Sequence, residues 1–391
     1  MTKLIGSTWD HARGYDPMVA TAEAYCKSHP DVEIVWEKRT LTDFAEMSLP
    51  QLAERYDMIV LDHPWSGGCF AQGSLVPLDG LLDATFLADQ AANSVGSSHM
   101  SYNYGGRQWA LAIDAASQVS AYRPDLLEKL DAEIPQTWEQ VFALASVARR
   151  KGMYICTPLF HIDCLPTFVT LCAQAGEPAF SGNLAVSRSL GREVLAFMAR
   201  LLREGHPNSA IWNPPQALDV MSRTDEIAYS PLLFGYTNYS RPGFRPHLLR
   251  FCDIPNNAHG RPNGAIIGGA GLAVTSRCEN AEVAADYAAF VASDEIQCGL
   301  FFDRGGQPGH RKAWLDARTN AEATGFFADT LATLDGSTQR PRYSGWINVQ
   351  DEACLILHRF LTGENTAENT LEALDRAYGE SLLNLKEGTE R

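Results

Sequence analysis

Four histidines in this chain stand beside acidic residues or in a glycine-rich run. They are Asp10-His11, Asp62-His63, His161 two residues before Asp163, and His310 in Gly305-Gly-Gln-Pro-Gly-His310-Arg311. An imidazole next to a carboxylate can take or give a proton near neutral pH. The same pairs, if they converged in space, would offer nitrogen and oxygen ligands to a transition metal. Neither His-x-His nor His-x-x-x-His spacing occurs, so no metal and no cofactor is assigned. Trp9, Trp65 and Tyr236 bring rings that stack on a sugar-like face, and Arg13 and Asp114 bring charges that fix hydroxyls or carboxylates. The set Trp9, Asp10, His11, Arg13, Asp62, His63, Trp65, Asp114, His161, Asp163, Tyr236 and His310 suits a small polar ligand, and no catalytic residue stands out.

Plainer roles compete with these. Either tryptophan could be core, Asp62 could cap a turn, and Tyr236 with Tyr239 could pack a lobe. Gly67-Gly68 lacks the Lys-Ser/Thr of a phosphate loop and reads as a plain turn. Gly268-Gly-Ala-Gly271 lacks the later glycine of a dinucleotide fingerprint. Cys69 would need a histidine within reach to act as a nucleophile, and a buried structural thiol is the simpler reading.

The elements that must position these residues follow from pattern. Leu4 to Trp9 reads as a strand, and Asp16 with Pro17 opens a helix to about Ser28. Val32, Ile34 and Trp36 alternate as a second strand, and Tyr56 to Leu61 is an apolar strand buried on both faces. In open α/β sheets ligands bind outside the carboxyl ends of strands, which selects the residues after Thr8 and after Leu61. Further on, Thr137 and Gln140 form a capping box for a helix to about Lys151. Met153 to Leu159 is a strand, and Leu165 to Ala175 is a helix with Pro166 in its first turn. Leu190, Val194, Phe197 and Leu201 mark an amphipathic helix, and Glu226 to Ser230 a strand. Asn256 to Gly264 is a loop, Gly264 to Thr275 a glycine-rich strand, and Glu282 to Ala292 a helix. Helices at Glu352–Leu361 and Ala367–Tyr378 finish the chain.

Two stretches carry a resemblance. Trp109-Ala-Leu-Ala-Ile-Asp114, Tyr122-Arg-Pro-Asp125-Leu126 and Pro135-Gln-Thr137-Trp138 form the first, a strand, a second strand end and a helix opening. Gly268-Gly-Ala-Gly-Leu-Ala-Val, followed by Tyr287, Phe290-Val291, Ser293, Glu295 and Gln297, forms the second. Together they resemble extracellular solute-binding proteins of family 1, with Arg123 in place of the usual Asn. The resemblance implies an α/β, two-lobed, periplasmic-binding-protein-like fold of class II. Its lobes are discontinuous, 1–113 plus 264–310 and 114–263 plus 311–391, joined by hinge crossovers with a ligand cleft between them. It implies a protein that closes over a sugar, polyol or small carboxylate and, in carbohydrate transport, partners an ABC permease.

Bulk properties bound the rest. A chain of 391 residues, 45% hydrophobic and 20% charged, holds two domains. A net charge of −15 argues against nucleic acid as partner, and no apolar run is long enough for membrane insertion. The nine cysteines are scattered, without Cys-x-x-Cys, which suits a reducing compartment. The opening Met1-Thr-Lys-Leu-Ile-Gly shows no secretory apolar core, so the expectation is a cytoplasmic protein, or a periplasmic one if this is a mature form. A solute binder rather than an enzyme is the main reading. A cytosolic enzyme on the same fold, using the His and Asp residues for acid–base or metal-assisted chemistry, is the alternative.

Overall fold

The computed structural model describes residues 1–40, 48–256 and 262–389, with side chains through 385. Most of the expected Asn256–Gly264 loop, residues 257–261, lies outside the described residues. In chain order the elements that matter begin with β1 (Thr2–Trp9), α1 (Ala12–Ser28), β2 (Val32–Arg39), β3 (Met58–Leu61) and α2 (Ser66–Gln72). Then come β4 (Leu111–Tyr122), α3 (Trp138–Arg150), β5 (Tyr154–Ile155), α4 (His161–Gln174) and α5 (Arg188–Glu204). The chain continues with β6 (Ile227–Phe234), β7 (Arg250–Cys252), β8 (Ile267–Val274), α6 (Ala281–Ala292), α7 (Trp346–Leu361) and α8 (Ala367–Thr389).

The chain divides into two compact units, each assembled from separate stretches. Unit 1 takes Met1–Ala116, Gly268–Ala321 and Arg342–Ser344; unit 2 takes Ser117–Ile267, Glu322–Pro341 and Gly345–Arg391.

In unit 1, β1 lies parallel to β2 from Thr2↔Val32 to Trp9↔Arg39, and parallel to β3 at Gly6↔Met58. The return strand β8 runs antiparallel to β3, Gly271 opposite Leu61, and the first half of β4 follows it in the sheet. All of β3 is buried, and its side chains divide by parity. Met58 and Val60 join Leu4, Met18, Tyr25 and Tyr287 on one face. Ile59 and Leu61 join Leu52, Tyr102 and Trp109 on the other. That is the period-two pattern of a strand covered on both sides, and each such side chain contributes roughly 1.5–3 kcal/mol by leaving water. The covering helices α1 and α6 are tied together by polar groups inside the apolar layer. Tyr287 OH lies 3.0 Å from Thr21 Oγ1 and accepts Trp36 Nε1–H at 3.2 Å, while Tyr25 OH donates to Asp286 at 2.6 Å.

Helix α1 starts earlier than the Asp16-Pro17 pair predicts. His11 is its N-cap, its Nδ1 accepting from Arg13 N at 3.0 Å, and Pro17 lies inside the helix. Proline forfeits one backbone bond there, while Met18, Ala22 and Tyr25 on the same helix pack into the core. The consequence reaches the site, because Arg13 is helical rather than part of a loop.

In unit 2 the second half of β4 pairs antiparallel with β6, with an irregularity between Val119 and Ala121, and with β7 at Ser120↔Cys252. The strand β5 lies parallel to β6 at Tyr154↔Ile227. It is shorter than the predicted Met153–Leu159, since Pro158 has no N–H to give a ladder. Helix α4 correspondingly begins at His161, and Pro166 lies inside it rather than in its first turn. The Thr137/Gln140 capping box of α3 is present as predicted. Arg123, fully buried, donates to Asp125, to Asp225 and to the carbonyls of Met221 and Thr224, which makes it a structural tie.

Candidate functional site

Strands β1 and β3 are parallel, so Trp9 and Leu61 end on one edge of the unit 1 sheet. The residues that follow them meet Asp114 from β4. Arg13 Nε donates to Asp114 Oδ2 at 2.7 Å and Arg13 Nη2 to Asp114 Oδ1 at 2.5 Å, a bidentate pair whose side chains are 5% and 1% exposed. Burial pushes the Asp114 carboxyl up, Arg13 and the Ala270 amide pull it down, and the charge of Asp62 pushes it up further. Two carboxylates and one guanidinium thus share this edge. Gly269, at φ +97°, lies against the Asp114 carbonyl, where a Cβ would collide with the backbone.

Asp62 caps a single 3₁₀ turn, His63–Trp65, by accepting from His63 N at 2.8 Å. The His63 ring is fully buried, with Nδ1 3.1 Å from Asp62 Oδ1 and Tyr102 edge-on at 6.5 Å. Trp65 is half-buried against the Leu61–Tyr102–Trp109 cluster. Of the rest, Trp9 is 6% exposed in the core, its ring occupying the space where a Cβ on Gly14 would go. Asp10 is exposed and pairs with Lys38 at 2.8 Å. His310 is buried as the N-cap of a short helix, Arg311–Leu315, with Nε2 3.7 Å from Asp89. Burial lowers its affinity for a proton, partly offset by Asp89. The structure therefore gathers Arg13, Asp62 and Asp114, buries His63 beside Asp62 and Tyr102, and gives Trp9, His11 and His310 packing or capping roles.

In unit 2, His161 and Asp163 stand in the first turn of α4 rather than in a strand-end loop. The His161 ring lies 4.1 Å from Phe160 and 6.4 Å from His358. Asp163 is 6% exposed, and burial pushes its carboxyl well above the ordinary range. Tyr236 is 8% exposed and meets Tyr239 edge-on at 6.5 Å. Tyr239 is a packing residue, its OH bonded to Asp219 at 2.9 Å beside Arg245.

Among the described residues no group of three or more His, Cys, Asp or Glu is placed to hold a metal ion. Cys69 is fully buried in α2, and burial drives its thiol far up, the reverse of what an activated nucleophile needs. Gly67 and Gly68, expected in a turn, belong to that helix as well.

Two arginines that tie unit 1 together escaped sequence reasoning. Arg39, buried at the end of β2, donates to the Val60 carbonyl. Arg342 Nη1 donates to the carbonyls of Met100, Ser101 and Asn103 at 2.8, 2.9 and 2.7 Å. Its own carbonyl sits against Gly67, where any Cβ would clash. In sequence Gly67 reads as a turn glycine, so it gave no signal of this contact.

Solved structures with this architecture are numerous. Maltose-bound MalE3 of T. maritima has a TM-score of 0.83 at 18% identity, over 98% of this chain and 100% of that one. An ABC transporter solute-binding protein from Thermotoga lettingae bound with α-D-tagatose has a TM-score of 0.82 at 15% identity, over 98% and 100%. One from Agrobacterium radiobacter in complex with ribitol has 0.75 at 18%, over 97% and 98%. At such identities the likeness establishes the two-lobed periplasmic-binding-protein fold. The family itself is shown by sequence, since the profile of bacterial extracellular solute-binding proteins matches residues 20–321, well over half of the chain. With the discontinuous units and the polar strand-end edge already described, that match makes this chain a member of the bacterial extracellular solute-binding proteins.

Proposed function

We propose that the chain binds one small, neutral, polyhydroxylated solute and presents it to an ABC permease. The observation that carries the choice of solute is the closed Arg13–Asp114 pair with Asp62 beside it. A site for an anionic solute offers a cation to it, whereas here Arg13 spends its charge on Asp114. Asp62, whose side chain is 25% exposed, supplies an acceptor, which suits the hydroxyls of a sugar or polyol. Maltose, tagatose and ribitol in structurally similar proteins agree with that chemistry. In this reading the solute-bound form is what the permease recognises.

The test is a thermal-shift and calorimetric panel of maltose, D-tagatose, ribitol and D-mannitol against citrate and malonate, each hit being checked for turnover. A neutral member is expected to raise the melting temperature and remain unchanged. Stabilisation by the anions alone would overturn the neutral-solute reading, and product formation would replace a binder with an enzyme. The family works outside the cytoplasmic membrane, and we place this protein there too. The observation favouring a second reading, work in a reducing compartment, is that all nine cysteines are free. Cell fractionation with a compartment marker decides between them.

A further inference from the structure

The turn that carries the partly exposed Asp62 is bracketed at both ends by groups remote in sequence. Ahead of it, Tyr102 OH donates to the Leu61 carbonyl at 3.2 Å, and the Tyr102 ring stands edge-on to His63. Behind it, the 3₁₀ turn His63–Trp65 runs straight into α2, with Trp65 as the residue before the first turn of that helix. Ser66 Oγ donates to the His63 carbonyl at 2.8 Å and to the Ser101 carbonyl at 3.3 Å. The same Ser101 oxygen accepts from Arg342 Nη1 at 2.9 Å. The Arg342 carbonyl completes the bracket, occupying the place where a Cβ on Gly67 would go. Arg342 thus enters it twice, by its side chain at Ser101 and by its backbone at Gly67.

The partners of Arg342 separate it from an ordinary surface cation. Met100, Ser101 and Asn103 stand at the end of the short helix Ser98–Ser101 and just past it, where carbonyls lack an intrahelical donor. Nη1 serves all three of those carbonyls. Among the described residues no carboxylate is paired with Arg342. Burial lowers its hold on the proton, and Tyr104 acts in the opposite sense. The cation is therefore not there for an ion pair. Its bonds fix where the 98–103 segment sits against α2, and so where the turn before α2 sits.

We propose that Arg342 is a positioning residue for the solute site of unit 1: through Ser101 and Gly67 it holds the Asp62–Trp65 turn in its binding geometry, without touching the solute. This rests on the reading that the strand-end edge with Asp62 receives the solute. A turn released at one end takes up other arrangements. A solute that needs one arrangement then binds more weakly, in proportion to the fraction of molecules that keep it. That loss falls on the association rate, because the complex once formed is the wild-type complex.

Two side chains test the bracket from the Arg342 side. Arg342→Met removes the donors and keeps a long side chain, whereas Arg342→Lys keeps three N–H groups for the three carbonyls. In hydrogen exchange of the ligand-free protein, read by mass spectrometry, Arg342→Met should exchange roughly tenfold faster in peptides covering 62–72 and 98–104. Peptides of β1 and β2 should be unchanged, and Arg342→Lys should stay near wild type. With whichever of maltose, D-tagatose, ribitol or D-mannitol binds wild type, Arg342→Met should bind about tenfold more weakly, as a turn ordered about a tenth of the time would. Stopped-flow binding should place the loss in association, with dissociation unchanged, and saturating solute should restore protection at 62–72. Gly67→Ala displaces the Arg342 backbone instead of its side chain. It should reproduce these effects, and it carries the test if Arg342→Met does not fold. Unchanged exchange at 62–72, or unchanged affinity with a loosened turn, overturns the proposal. So does a loss carried by faster dissociation, which would make Arg342 a solute contact. A wild type indifferent to the whole panel is a failure of the function reading instead. The ligand-free exchange then judges the bracket alone, faster exchange at 62–72 upholding it and unchanged exchange overturning it.

Discussion

The Arg13–Asp114 pair ties helix α1 to β4 at the strand-end edge of unit 1. Two charges removed from water are held by two short bonds, and neither side chain exceeds 5% exposure. Breaking such a pair from one side leaves a buried charge alone, at a cost of about 3–5 kcal/mol. Arg13→Ala is therefore expected to lower the free energy of unfolding by that amount in urea denaturation. The double change Arg13→Met with Asp114→Leu should recover most of it, because two apolar side chains of similar volume leave no charge behind. A single variant as stable as wild type would mean that the pair is weaker than its geometry. Asp163 is the counter-example at the same scale: one carboxyl is buried with its cation, and for the other burial is the cause that shifts it.

At the scale of elements, two helix starts determine where candidate residues stand. His11 caps α1 and turns Arg13 into the helix, from where its guanidinium reaches Asp114. Helix α4 likewise begins at His161 and takes Asp163 into its first turn. The short segment Arg342–Ser344 is held to unit 1 although the chain on both sides of it belongs to unit 2. Its clasp is one guanidinium nitrogen on the Met100, Ser101 and Asn103 carbonyls, with the Arg342 carbonyl seated on Gly67. Gly67→Ala places a methyl group against that carbonyl, so a loss of about 1–3 kcal/mol is expected from overpacking. Protease cleavage near Arg342 should quicken in the variant, whereas Gly68→Ala, with open space around its Cβ position, should behave as wild type. Equal cleavage in the two variants would dissociate Gly67 from the clasp.

For the whole molecule, the thiols give a readout of packing. Cys26, Cys252 and Cys298 are half-buried, while Cys69, Cys156, Cys164, Cys172, Cys278 and Cys354 are buried. Burial lifts the Cys156 thiol to about 12 and that of Cys278 to about 11, so neither forms thiolate at neutral pH. Burial lifts the Cys252 thiol to about 12 as well, so native alkylation with iodoacetamide at pH 8 should stop at Cys26 and Cys298, and all nine should react in denaturant. Rapid native labelling of Cys69 would reopen a nucleophilic role. Ligand binding belongs to this scale too. A solute at a hundred times its dissociation constant stabilises the folded chain by about 2.7 kcal/mol, which the melting panel will read if a solute has been found.

Much of the architecture could be read from residue order because it is written in local patterns. The parity of Met58–Leu61, the Thr137/Gln140 capping box and the glycine-rich run into β8 each depend on neighbours a few positions away. The placement of Asp62 and His63 followed as well, from a rule about strand ends. What pattern could not supply was the partner of each polar group. Nothing near Arg13 in sequence announces Asp114, a hundred and one positions on, and nothing near Gly67 announces Arg342. Trp9 and Trp65 look alike in order, yet one is core and the other half-open. Residue order determined the family, the strands and the polar edge. The tertiary structure alone decided which charges are spent on each other, because pairing energy depends on distance and burial, and both are created only when remote segments pack together.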